Sequence, residues 1–187
     1  MNKTIVFLIL LIMVPILLTK NKVSNTAASI IDQVVGRIRL GAKQLERATR
    51  AGQALKAAGA TGPQLSYLIP QIAWETGHFQ SKVMDIDNNF SGIKYEHQNG
   101  ATPGSPAPKN EGPKPYAHFN SPEDWAKDHL RILRKVGKAR PLEATSLQDY
   151  VSRLKRNGYF TDTEANYFKG LDSLQSMYKP LILALQN

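Results

Sequence analysis

The chain has 187 residues, of which 42% are hydrophobic and 21% are charged, with a formal net charge of +9 and no cysteine. Its length fits one globular domain with an N-terminal extension, and its composition excludes a largely disordered chain. The absence of cysteine excludes a disulfide framework, a thiol nucleophile, a thiolate zinc site and a cysteine-linked lipid anchor. The four histidines, His78, His97, His118 and His129, show no metal-ligand spacing, so we expect neither a metal nor a cofactor.

The basic charge favours polyanionic partners without choosing among cell-wall polymers, anionic lipid surfaces and nucleic acid. A solvated basic surface that keeps the protein soluble is an equally simple interpretation. No sequence feature indicates specific binding of nucleic acid, and none indicates an oligomeric state.

An unbroken apolar run at residues 5–18 opens the chain. The run is shorter than the about 20 residues of a full membrane span and resembles a signal-peptide core in length, but no small-residue cleavage site directly follows it. We therefore predict that residues 1–24 are a membrane anchor that contacts the membrane through residues 4–19, with a cleaved signal peptide as the alternative. Basic residues flank the run on both sides, so charge does not orient the folded part relative to the membrane.

A basic helical module is predicted at residues 25–62. It contains helices at 27–40 and 43–58, and Gly59 ends the second of them. Between residues 37 and 56 it carries six basic residues and one acid, Glu46. This face could lie along anionic headgroups, or it could be an ordinary exposed helix surface.

The remainder, residues 63–187, reads as helices, one small β-lobe and more helices, a mainly α (α+β) fold. Helices are predicted at residues 64–76, 121–137 and 146–157, and a last helix begins at a capping box of Thr161 and Glu164 and is kinked at Pro180. Between the first two of these helices, strand-like segments at 92–95 and 116–119 flank a proline-stiffened loop. A groove between two such lobes suits an extended polymer.

Glu75 lies at the edge of the apolar stripe of the helix at 64–76, close to its C-terminal end. Partial burial and the negative end of the helix dipole should both raise the pKa of its carboxyl. A glycosidic oxygen leaves only when protonated, so a carboxyl that keeps its proton near neutral pH is a candidate proton donor. An ordinary surface acid at a helix end is the alternative.

The surroundings of Glu75 favour the first interpretation. Residues 72–77 read IAWETG and residues 88–94 read NNFSGIK, followed by YAHFNS at 116–121 and GYFTD at 158–162. In this order and spacing they resemble the glucosaminidase family of bacterial cell-wall hydrolases, family 73 of the glycoside hydrolases. The resemblance implies a lysozyme-like fold and cleavage of the β-1,4 bond between N-acetylglucosamine and N-acetylmuramic acid in peptidoglycan glycan strands. This function in turn implies that the folded part lies on the peptidoglycan side of a bacterial envelope.

The resemblance also implies site residues. It makes Glu75 the general acid and takes a second acid from the β-lobe, for which Glu111 is the candidate and Glu96 and Asp87 are rivals. Tyr159 matches a tyrosine that lines the cleft near the cleaved bond.

Four further positions are predicted to bind substrate: Asn88, Asn89, Tyr116 and Tyr167. The two asparagines should also shape the turn into the β-lobe through hydrogen bonds to the backbone. Trp74 is expected to pack in the core against the basic helical module, with sugar stacking as the alternative. Ser91 departs from the family, which usually carries an aromatic residue there.

Two other functions stay open. A lytic transglycosylase or a muramidase would use the same fold. A non-catalytic glycan-binding or structural protein of the envelope, or of the virion of a membrane-containing phage, would need no active site. The sequence does not distinguish inverting, retaining and substrate-assisted hydrolysis.

Overall fold

The computed structural model describes residues 41–135 and 137–187. The predicted membrane segment, residues 1–24, and the predicted helix at 27–40 lie outside the described residues. Within the described part of the chain, no helix is both long and apolar enough to cross a membrane.

Six α-helices and two short strands make up the described fold. The helices are α1 (Ala42–Ala57), α2 (Gly62–Glu75), α3 (Val83–Ile86), α4 (Pro122–Lys135), α5 (Leu147–Arg156) and α6 (Glu164–Gln186), and the strands are β1 (Ala101–Pro103) and β2 (Ala117–Phe119). Single 3-10 turns lie at Lys109–Glu111 and Pro141–Glu143. The predicted mainly helical fold with a small β-lobe is confirmed for these residues.

One buried core holds the helices together. Helix α2 packs against α6, and α1 packs against α2, α4 and α6. Gly52 allows the close approach of α1 and α6, because a Cβ atom there would lie 2.3 Å from Leu185. Helix α1 belongs to the predicted basic module at residues 25–62, yet it shares its core with the helices of 63–187.

The last helix begins two residues later than its predicted cap. The hydroxyl of Thr163, not that of Thr161, accepts the backbone N–H of Asn166 at 3.2 Å. Thr161 matches the sequence pattern, but its carbonyl accepts Lys155 Nζ instead. The helix then continues through Pro180 to Gln186.

The β-lobe is smaller than predicted. The strand predicted at 116–119 is confirmed as β2, but its partner β1 lies within the predicted loop. Strand β1 pairs antiparallel with β2, with Thr102 opposite His118. The predicted strand at 92–95 is reduced to a single bridge between Lys94 and Tyr116. The cause is Asn89, whose side chain accepts the N–H of Ile93 at 3.0 Å and donates to its carbonyl at 2.8 Å, so this backbone cannot extend a ladder.

Candidate active site

Glu75 is the last residue of α2, and a sharp turn follows it. Gly77, His78 and Phe79 adopt φ values of 58°, 61° and 59°, in the left-handed region. Arg47 of α1 holds this turn, because its Nη1 donates to the carbonyl of Phe79 at 2.7 Å. The same guanidinium pairs with Asp85 of α3, with Nε at 3.0 Å from Oδ1. The end of α2 is therefore fixed to both α1 and α3.

Tyr167 of α6 donates a hydrogen bond from its hydroxyl to Oε1 of Glu75 at 2.9 Å. Desolvation raises the pKa of Glu75, and the bond from Tyr167 opposes this rise because it stabilises the ionised carboxylate. The residue as a whole is exposed, but its carboxyl lies against Tyr167, and desolvation acts on the carboxyl. The predicted direction of the pKa shift is confirmed.

Two more tyrosines surround the Glu75 carboxylate. Burial and the charge of Glu75 raise the pKa of Tyr150, Tyr159 and Tyr167, so all three phenols stay neutral. Tyr150 donates to the buried Gln71 amide, and the proximity of the Gln71 amide opposes the rise in the pKa of Tyr159. The site around Glu75 is thus a set of neutral hydroxyl groups on α5, on α6 and on the segment between them, together with the Gln71 amide of α2.

Tyr167 is held in one orientation by its aromatic neighbours. Its ring stacks on Phe160 with centroids 3.9 Å apart and planes at 8°, and it meets Trp74 edge-on at 6.0 Å. The side chain is only 2% exposed. Tyr167 was predicted to bind substrate, but its hydroxyl contacts Glu75 and its ring is covered by protein.

Glu111 lies in a second cluster, on the β-lobe. Its Oε2 accepts hydrogen bonds from Lys94 Nζ at 2.6 Å and from the Tyr116 hydroxyl at 2.9 Å. Lys94 Nζ also lies 3.8 Å from the centre of the Tyr116 ring. These contacts lower the pKa of Glu111, whereas burial and the neighbouring carboxylate raise the pKa of Tyr116 to about 12. Glu111 is therefore ionised at neutral pH.

A cleft of about 430 Å³ joins the two clusters. Tyr159 lines this cleft and also belongs to the surroundings of Glu75, while Lys94 lines it and binds Glu111. Arg131 and Lys135 of α4 form its basic wall. Of the predicted site residues, Tyr159 therefore lines the cleft itself, whereas Glu111 is linked to it through Lys94 and Glu75 through Tyr159.

The two rivals of Glu111 differ in placement. Glu96 lines the same cleft, but its carboxylate pairs with Lys114 at 2.7 Å. Asp87 is 2% exposed, accepts the N–H of Ser105 at 3.2 Å and lies 3.3 Å from His118 Nδ1. Asp87 is therefore a buried support of the β-lobe and cannot reach a polymer in the cleft.

Asn89 shapes the lobe and has no free atom for a sugar. It is fully buried, and besides its two bonds to Ile93 its amide donates to the carbonyl of Ala117 at 2.9 Å. Asn88 adopts a φ of 48° and donates to the carbonyl of Phe119 at 3.0 Å. The predicted role of both asparagines in the turn is confirmed, and the contacts of Asn89 contradict its assignment to substrate binding.

The prediction that Trp74 lies in the core is wrong. Its side chain is 44% exposed and packs against Gly170 of α6, not against α1. Helical periodicity places Trp74 opposite the apolar stripe. Helix α6, which packs against this side of α2, has Gly170 facing the indole, and part of the ring stays exposed to solvent.

The structure shows further site residues that were not predicted. Gln71 lies one helical turn before Glu75 on the same face, a spacing that could have revealed it. Ser91 accepts Trp125 Nε1 at 2.9 Å and contacts Nδ1 of the buried His129 at 3.1 Å, so a polar pair replaces the usual aromatic packing. Burial lowers the pKa of His129 to about 4.

In residues 41–135 and 137–187, no group of three or more His, Cys, Asp or Glu side chains could hold a metal ion.

Comparisons with known proteins agree with this geometry. The glucosaminidase family model, described as mannosyl-glycoprotein endo-beta-N-acetylglucosaminidase, matches residues 51–180. The catalytic domain of the autolysin Auto from Listeria monocytogenes is 20% identical, with a TM-score of 0.51 over 75% of this chain and 86% of that one. The glycoside hydrolase domain of Salmonella typhimurium FlgJ is 21% identical, with a TM-score of 0.55 over 74% and 89%. No curated protein matches the chain significantly. Since the family model covers more than half of its length, the chain belongs to the glucosaminidase family.

Proposed function

We propose that the protein is a peptidoglycan hydrolase that cleaves the β-1,4 bond between N-acetylglucosamine and N-acetylmuramic acid. The observation that carries the proposal is the placement of Glu75, at a helix end beside a cleft, with a raised pKa and an oriented carboxyl. Membership of the glucosaminidase family supports the substrate class.

Glu75 would act as the general acid. Its raised pKa favours the protonated carboxyl relative to an ordinary glutamate, and the proton passes to the glycosidic oxygen as the bond to the sugar carbon breaks. The bond from Tyr167 orients the carboxyl and stabilises the carboxylate that remains after proton transfer.

Glu111 is the favoured second group because it is ionised and is held by Tyr116 and by Lys94, which lines the cleft. A carboxylate there can activate water or stabilise the positive charge that develops on the sugar ring. The neutral Tyr159, at the border of both clusters, is placed to contact the sugar between them.

Mass spectrometry of digested peptidoglycan tests the bond that is cut. We expect fragments with reducing N-acetylglucosamine from the wild-type protein and none from Glu75→Gln. Reducing N-acetylmuramic acid would identify a muramidase, and 1,6-anhydro ends would identify a lytic transglycosylase. If wild type and variant both bind peptidoglycan and neither cuts it, the protein is a binding component instead.

The apolar run at residues 5–18 supports a proposal for location, an anchor at residues 1–24 that holds the enzyme at the membrane of the cell envelope. Flotation of the full chain with lipid vesicles, compared with a chain lacking residues 1–24, tests it. Equal recovery of both chains with the lipid would contradict the anchor.

A further inference from the structure

Trp74 stands immediately before Glu75 and is the more exposed of two tryptophans. It is 44% exposed, whereas Trp125 is completely buried. The other exposed large apolar residues of the described chain are Ile86 and Leu183, and neither is adjacent to Glu75 in the sequence.

Gly170 holds the indole ring in a fixed position. A Cβ atom at Gly170 would lie 2.3 Å from Cζ3 of Trp74, so only glycine leaves room for the ring against α6. Glycine inside a helix is less favourable than alanine, so α6 is less stable at this position than it would be with alanine, but it leaves room for the ring. The edge-on contact with Tyr167 at 6.0 Å fixes the ring from a second side.

We propose that Trp74 is a stacking subsite for a sugar ring of the glycan strand, next to the bond that Glu75 cleaves; this inference rests on the proposed function. A pyranose presents an apolar face of C–H groups, and a rigid, half-exposed indole presents a matching flat surface. Trp74 does not line the cleft that contains Lys94 and Tyr159. The subsite therefore extends the glycan-binding surface past Glu75, on the side of α6.

The position of Trp74 sets the order of the subsites. Tyr159 borders the cleft toward the β-lobe, while Trp74 contacts α6 through Gly170 and Tyr167. A strand that crosses Glu75 would place one sugar in the cleft and another on the indole. Short fragments that occupy only the cleft should then bind without help from Trp74.

Tryptophan fluorescence tests the subsite directly, because Trp125 is buried and quenching by acrylamide reports on Trp74. The inactive Glu75→Gln protein is titrated with chitohexaose, a β-1,4-linked oligosaccharide of N-acetylglucosamine, and with peptide-free glycan strands. We expect bound sugar to shield the exposed tryptophan from acrylamide. Binding without any change in quenching would overturn the proposal. Since no hydrolysis is required, this result stands apart from a failure of the proposed function.

Variants separate stacking from packing. Trp74→Leu keeps an apolar side chain against Gly170 but removes the flat surface of the indole. If a bound sugar covers about half of the exposed indole, the contact raises affinity by roughly tenfold. We expect that loss for chitohexaose, a smaller loss for chitobiose, and substantial recovery in Trp74→Tyr. Leu183→Ala, on the exposed side of α6, is the control and should bind like the parent protein. A lower melting temperature with unchanged affinity in Trp74→Leu would assign the ring to packing alone.

Discussion

The hydroxyl of Tyr167 donates to Oε1 of Glu75 at 2.9 Å, across 92 residues of sequence. The bond couples α6 to the end of α2, and it opposes the effect of desolvation on the Glu75 pKa. A residue that orients an acid also sets the pH at which the acid works.

Tyr167→Phe should therefore move the pH profile. Without the hydroxyl, the carboxylate loses a donor, the pKa of Glu75 rises further, and the alkaline limb of kcat/KM shifts to higher pH. The maximal rate should fall by about ten- to a hundredfold, since a hydrogen bond to a charged group is worth about 1.5–3 kcal/mol.

Tyr178→Phe is the matched control, because Tyr178 is also a buried tyrosine of α6 but its hydroxyl has no hydrogen-bond partner in the described part of the protein. It should leave the pH profile unchanged. An alkaline limb that moves downward in Tyr167→Phe would contradict the assignment of Glu75 as the acid.

Glu75→Gln should lose activity and gain stability at neutral pH. Loss of a general acid lowers kcat by about 10²–10⁴-fold. The folded-state pKa of Glu75 lies above its ordinary value of 4.5, so the folded protein binds more protons and wild type loses stability as pH rises from that value through the raised pKa. The glutamine variant is spared this loss.

Melting temperatures measured well below and well above pH 4.5 test the direction of this change in stability with pH. Wild type and Glu75→Gln should have the same melting temperature at acid pH, and Glu75→Gln should have the higher melting temperature at neutral pH. Glu46→Gln, on the exposed surface of α1, should show no such difference from wild type. A variant less stable than wild type at neutral pH would indicate that the ionised carboxylate is stabilised in place.

Local patterns were enough to predict much of this fold and part of the site. The apolar spacing around Glu75 indicated its helix, its position at the helix end and the direction of its pKa shift. These are properties of neighbours within one or two turns. The turn-forming role of Asn88 and Asn89 was predictable for the same reason.

The remaining features depend on contacts between distant segments. Asn89 binds the carbonyl of Ala117, 28 residues away, and so prevents a strand that the local pattern favours. Trp74 is exposed because the residue opposite it, 96 positions along the chain, is Gly170. Periodicity identifies a face of a helix, but not what the other helix presents to it.

Glu111→Gln tests the second carboxylate. The substitution removes the charge that Lys94 and Tyr116 hold, and if Glu111 activates water or stabilises the sugar cation, kcat should fall by about 10²–10⁴-fold. The lowered pKa of Glu111 places its protonation at acid pH, so the acid limb of the kcat profile should disappear with it.

Glu96→Gln provides the comparison, since Glu96 lies on the same lobe, lines the same cleft and pairs with Lys114. It should retain most of the activity. If Glu96→Gln is the inactive variant and Glu111→Gln is active, the roles of the two carboxylates are reversed. Equal activity of both variants would favour a substrate-assisted reaction with Glu75 alone.

Arg47→Ala should destabilise the turn that follows Glu75. Arg47 is 6% exposed, and its removal leaves the Phe79 carbonyl and the Asp85 carboxylate without their main donor. Breaking a fully buried pair costs about 3–5 kcal/mol, and we expect about 2–3 kcal/mol here because the Asp85 side chain keeps access to water. Lys43→Ala removes an exposed cation from the same Asp85 and should cost about 0–1 kcal/mol.

The pH dependence of the Arg47 effect follows from Asp85. Its hydrogen bond to Arg47 holds the pKa of Asp85 well below the ordinary value of 3.8, so the stability from this pair is present above pH 3.8 and is lost as pH falls through the lower folded-state pKa. The difference in unfolding free energy between wild type and Arg47→Ala should therefore shrink in acid. Urea unfolding across this range measures it. A difference that is constant with pH would show that Arg47 acts through the Phe79 carbonyl and not through the carboxylate.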